Sequence, residues 1–88
     1  MVCMDFHVFD TYVKSKDDHL LHFDVITDKK ENEKAVEYAK EWLKSIGEEE
    51  SRVTMEECRF CHSQSFPDEI EIEIMTNGYF ISKIEGCP

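Results

Sequence analysis

Pro67-Asp68-Glu69-Ile70-Glu71-Ile72-Glu73-Ile74-Met75-Thr76-Asn77-Gly78 is the stretch on which the fold turns, because it supports two structures. Ile70, Ile72 and Ile74 alternate with glutamates, the two-residue period of a strand. Asn77-Gly78 ahead of Tyr79-Phe80-Ile81 would then close a tight hairpin. Pro67 followed by Asp68 and Glu69 is equally a good helix opening, with proline in the first turn and acids at the positive end of the dipole. In that case Ile70, Ile74 and Met75 share one face and Gly78 is the left-handed cap. Periodicity alone leaves both readings open.

Working outward, residues 56–63 read as a strand, preceded by an acidic connection over 47–55. Before that lies the strongest signal in the chain, a helix over 29–46. Ala35, Val36, Ala39, Trp42, Leu43 and Ile46 recur at helical spacing and make one apolar stripe. Asp28 with Glu31 resembles a capping box, and Gly47 sits where a left-handed C-cap belongs. Further back, residues 4–14 and 19–27 are dense in β-branched and aromatic side chains and flank a polar, turn-like Lys14-Ser15-Lys16-Asp17-Asp18. They form an antiparallel hairpin. A loop over 15–18 pairs Lys14 with His19 and Thr11 with His22. One face then carries His7, Phe9, Thr11, Leu20, His22, Asp24 and Ile26. The other carries Phe6, Val8, Asp10, Tyr12, Leu21, Phe23 and Val25 and is the expected core. A one-residue change in that loop re-sorts both faces.

The chain has 88 residues, which predicts a single domain over 1–88. Twenty acidic residues against ten basic ones give a formal charge of −10. That balance argues against nucleic acid, whose phosphates call for a basic stripe, and against an acidic membrane surface. Residues 1–12 are interrupted by Asp5, His7 and Asp10 and lack a continuous apolar signal region, and no apolar run reaches membrane-spanning length. A cytoplasmic, reducing setting is therefore expected, in which the four cysteines are thiols or metal ligands and not disulfides.

Cys58-Arg59-Phe60-Cys61-His62 carries the chemistry most open to a specific reading. Two residues between thiolates let both sulfurs face one tetrahedral ion, and Cys58, Cys61 and Cys87 with His62 or Cys3 would complete a zinc site. A regular strand over 56–63 would point Cys58 and Cys61 to opposite faces, so zinc requires a bulge or turn there. The same five residues fit a c-type haem attachment, which the missing export signal disfavours, and a redox dithiol, in which Glu56 and Glu57 would raise the thiol pKa. Reduced cysteines filling space are the plainer alternative. His22 and Asp24, with His7 and Asp10, form a second polar group; His22 and Asp24 share a face, whereas His7 and His22 stand ~13 Å apart in the expected register. Glycine-rich phosphate loops and nucleophile elbows are absent from the sequence.

His7-Val8-Phe9-Asp10-Thr11-Tyr12-Val13, His22-Phe23-Asp24-Val25, Glu57-Cys58-Arg59-Phe60-Cys61-His62, Gly78-Tyr79 and Glu85-Gly86-Cys87 together resemble a small bacterial and archaeal family, the domain-of-unknown-function family numbered twenty-twenty-four. The resemblance implies a helix before Gly78-Tyr79 and a ββαβαβ order. It implies no activity. The expected fold is thus an α/β (α+β) domain: a four-stranded mixed sheet with two helices on one face. The expected function is a non-catalytic binding or interaction module with a protein partner or a second copy of itself. Zinc binding through the Cys-x-x-Cys-His knuckle is the alternative, and a small thiol redox protein the second alternative.

Overall fold

The computed structural model describes residues 5–15, 18–48, 53 and 58–86. Cys3 and Cys87 lie outside the described residues. The elements are β1 (Phe6–Lys14), β2 (Leu20–Thr27), α1 (Asn32–Ser45), β3 (Cys58–Gln64), α2 (Asp68–Asn77) and β4 (Tyr79–Glu85), the expected ββαβαβ order.

The four strands form one sheet in the order β3-β1-β2-β4. Every neighbouring pair is antiparallel, which corrects the expected mixed sheet. The crossover through α1 does make β2 and β3 parallel, but β1 lies between them. Among the described strands, parallel relations occur between ones that do not touch.

The hairpin register also differs from expectation. The Ser15 N–H donates to the His19 carbonyl at 2.8 Å, and Asp18 takes up a left-handed φ of 69°. The loop is therefore 16–18, one residue shorter, and Lys14 pairs with Leu20 while Thr11 pairs with Phe23. Both faces are re-sorted. Phe9, Thr11 and Val13 now share a side with Leu21, Phe23 and Val25. Phe6, Val8, Asp10 and Tyr12 share the opposite side with Leu20, His22, Asp24 and Ile26.

Each side has its own core. Phe9, Val13, Leu21, Phe23 and Val25 pack with Ala35, Val36, Ala39 and Leu43 of α1 and with Cys58. Trp42 lies over Phe23 with ring centroids 4.6 Å apart. On the other side Phe6, Val8 and Ile26 pack with Ile74 of α2 and with Phe66, Ile70 and Phe80. The two helices thus lie on opposite faces, which corrects the expectation that both share one. The reason is that the hairpin is apolar on both sides near Phe6, Val8 and Ile26, so one helix cannot cover it.

α1 begins at Asn32 with Glu31 as a cap that makes no side-chain bond, so the Asp28 capping box does not form. Instead Asn32 Nδ2 donates to the Cys58 carbonyl at 2.9 Å and ties the helix start to β3. Its end is as expected: Gly47 has φ 83°, and the Glu48 N–H donates to the Leu43 carbonyl at 2.7 Å.

The ambiguous stretch is a helix. β3 and β4 occupy opposite edges of the sheet, about 14 Å apart by strand spacing. A ten-residue helix spans about 15 Å and carries the chain across. Pro67 stands at its N-cap, and Gly78 ends it with φ 94°. Ile74 is buried, whereas Ile72 is 64% exposed. No helix among the described residues is long and apolar enough to cross a membrane.

Candidate functional site

α2 covers only the Phe6–Val8–Ile26 end of its face. Beyond Val8 that face turns polar, and the strand alternation places Asp10, Tyr12, His22 and Asp24 there together. Asp10 and Asp24 are direct cross-strand partners, as are Tyr12 and His22. The Tyr12 ring stacks on the His22 imidazole at 4.0 Å and 14°, fixing the plane of the histidine. His22 Nε2 then stands 3.8 Å from Asp10 Oδ1. One ligand atom from each of Asp10, His22 and Asp24 lies within 4.8 Å of the others.

Like charges directly opposed across an antiparallel pair are destabilising. The consequence shows at Asp24, whose carboxyl is raised from 3.8 to about 7. Burial is the largest cause, followed by a hydrogen bond with Asp10 and the negative charge of Asp10, while His62 acts in the opposite direction. Asp24 therefore keeps its proton to a higher pH than a free carboxyl does. Asp24 Oδ1 is buried and has no hydrogen-bond partner among the described residues.

β3 delivers the next side chains to this face. Arg59 is the register partner of Asp10. The pairing shifts between Val8 and Phe9, so that Phe60 opposes Phe9 but His62 opposes Val8. Cys61 is the extra residue of that bulge. Its exposed thiol is raised above the ordinary value by desolvation, by the charge of Asp10 and a hydrogen bond to it, and by the charge of Asp24. His62 Nδ1 lies 3.2 Å from Cys61 Sγ, and His62 Nε2 lies 2.7 Å from Gln64 Oε1.

Cys58 is elsewhere. It is wholly buried beneath α1, where Thr11 Oγ1 donates to its sulfur at 3.4 Å. Burial raises its pKa, and the Thr11 bond opposes that rise. Cys58 and Cys61 therefore look out on opposite faces of β3 and do not form a knuckle around one ion. Three residues of strand also hold their Cα atoms about 10 Å apart, beyond the ~7 Å limit for a disulfide. The bulge needed for a shared site exists, but it falls after Phe60 and turns Cys61 and His62 together, leaving Cys58 behind. Cys87, the remaining expected ligand, lies outside the described residues.

Of the second polar group, Asp10, His22 and Asp24 come together and His7 does not. His7 points to the other side of the sheet, where Nδ1 meets Ser63 Oγ at 2.7 Å and the ring packs against Phe60. The sequence signal for Asp10 opposite Asp24 lay in the loop length, and the bulge that adds Cys61 left none. A groove of about 280 Å³ beside β4, between Trp42 and Phe80, shares no lining residue with this cluster.

The chain's residues 4–84 match the model of a family described as a domain of unknown function, DUF2024. The chain belongs to that family. Among solved structures it is similar to the NMR structure of protein NE1680 from Nitrosomonas europaea, with 61% sequence identity and a TM-score of 0.88. That match covers 97% of this chain and 100% of the other. No curated protein matches the chain. The neighbour's likeness agrees with the ββαβαβ fold, and neither the family nor the neighbour names an activity.

Proposed function

We propose that this DUF2024 domain is a small binding module for a divalent transition-metal ion, held on the open half of the sheet by Asp10, His22 and Asp24. The observation that carries the reading is the direct opposition of two carboxylates beside an oriented imidazole, with donor atoms within 4.8 Å of one another. A tetrahedral ion with bonds of ~2.0–2.1 Å needs donors about 3.3 Å apart. His22 Nε2 and Asp10 Oδ1, at 3.8 Å, are already close to that. A cation would relieve the opposed carboxylates, and it would give the buried Asp24 Oδ1 a partner. Imidazole as a donor favours zinc, copper or nickel over magnesium or calcium.

This reading moves the proposed zinc chemistry from the Cys-x-x-Cys-His segment to the hairpin. It keeps the expectation of a non-catalytic module. A dithiol between Cys58 and Cys61 has no geometric support among the described residues.

Calorimetric titration of the metal-free full chain with zinc tests it. The expected result is one equivalent bound, lost in Asp24→Asn/His22→Ala and retained in Cys58→Ala. Absence of binding in the unaltered chain, or loss of binding only in Cys58→Ala, refutes the assignment.

A further inference from the structure

We propose that Cys61 completes this centre as a thiolate ligand, which makes it a site for a thiophilic first-row ion such as zinc(II). The inference rests on the Asp10–His22–Asp24 reading and names the ion class that reading left broad.

Three observations place the sulfur. Strand alternation directs Cys58 and Phe60 toward α1, and so directs Arg59 and Cys61 toward Asp10. The bulge at Cys61 interrupts β3 at the level of the site, and bulges re-aim side chains in this way. Cys61 is exposed, so its single side-chain torsion is free to swing the sulfur inward.

The neighbouring side chains handle the proton. Gln64 Oε1 accepts from His62 Nε2–H, which leaves Nδ1 as the acceptor facing Sγ at 3.2 Å. On binding, the S–H proton passes to His62 Nδ1 and then to water, and the sulfur electron pair forms the bond to the metal. No oxidation occurs. The result is one sulfur, one nitrogen and two carboxylate oxygens around the ion. Calcium takes six to eight oxygens and magnesium a near-ideal octahedron, so neither fits this set. Zinc accepts it.

Cobalt(II) titration of the full chain separates the possibilities. In the unaltered protein we expect visible d–d bands of a four-coordinate ion together with a near-ultraviolet sulfur-to-cobalt charge-transfer band. Cys61→Ser, an exposed substitution, is expected to lose the charge-transfer band, keep d–d bands and bind zinc about tenfold more weakly or worse. Cys58→Ala is expected to keep both bands. Cobalt bound without a charge-transfer band, or with one that survives Cys61→Ser, overturns the thiolate assignment and leaves the Asp–His centre standing. Absence of cobalt and zinc binding in every variant overturns the centre itself.

Discussion

Replacing Asp24 with asparagine should change how stability depends on pH. The Asp24 carboxyl is held at about 7 in the fold against an ordinary 3.8. A raised acid pKa means that the folded chain binds this proton more tightly than the unfolded chain does. The stabilisation is complete below the unfolded value, declines as pH rises toward 7, and is lost above that. Each unit of separation corresponds to ~1.4 kcal/mol, so three units would give about 4 kcal/mol in a fully enclosed site. Asp24 is only half-buried, and solvent screening reduces the effect to about 1–2 kcal/mol. Asparagine keeps the shape and removes the charge. Asp24→Asn should therefore match the unaltered protein near pH 4 and melt higher at pH 8. For a domain of this size 1 kcal/mol is worth ~4–8 °C, so the gap should reach about 5–15 °C. Thermal melts followed by circular dichroism across pH 4–9 in chelator measure it. Asp10, Arg59, Cys61, His22 and His62 face Asp24 and are present in both proteins, so the substitution changes only the Asp24 carboxyl among them. A difference that stays flat between pH 5 and pH 8 would falsify the account of the carboxylate pair.

Ile74→Ala should lower stability by about 2–4 kcal/mol because it empties the small core under α2, while Ile72→Lys should stay within about 0.5 kcal/mol; urea midpoints that rank the two alike would contradict the helical placement. Gly86→Ala should cost about 1–2 kcal/mol by the same assay, since a Cβ there would run into the Leu20 carbonyl oxygen in a backbone with φ 72°. Zinc at a hundredfold excess over its dissociation constant should add ~2.7 kcal/mol to the unaltered chain and nothing to Asp24→Asn/His22→Ala, read as melting temperature.

Much of the fold was legible because local patterns and packing agree. The Ala35–Leu43 stripe has one apolar face and meets one apolar sheet face, so its period was decisive. The Ile70–Ile74 stretch was not decidable locally. Its two-residue period is real in the sequence, and the helix simply leaves Ile72 in water. The deciding fact is tertiary, since the chain must cross from one sheet edge to the other. The faces of the hairpin depended on a single loop residue. Asp18 in a left-handed conformation shortens the loop and exchanges every side-chain direction in β2 relative to β1. The candidate site inherits that sensitivity. His22 and Asp24 were legible as neighbours along one strand, but Asp10 joins them only in the observed register. Alternation from Cys58 turns Cys61 toward Asp10, and the bulge between Phe60 and His62 brings His62 to the same face, a cross-strand irregularity with no mark in composition or spacing. Cys58 misled for the opposite reason: the motif spacing is suggestive, yet an ordinary strand sends its sulfur inward.

The division of the interior into two unequal parts has a dynamic consequence. The α1 side holds most of the large enclosed side chains, whereas the α2 side rests on Phe6, Val8, Ile26 and Ile74. Native proteins open in cooperative pieces, and the piece with the fewest apolar contacts opens at the least free energy. Amide protons of α2 should therefore exchange with solvent well before those of α1. Such excursions would uncover an oily strip at one end of the sheet while leaving the Asp10–Asp24 end of the hairpin intact, so breathing of the tail half need not disturb ligand capture.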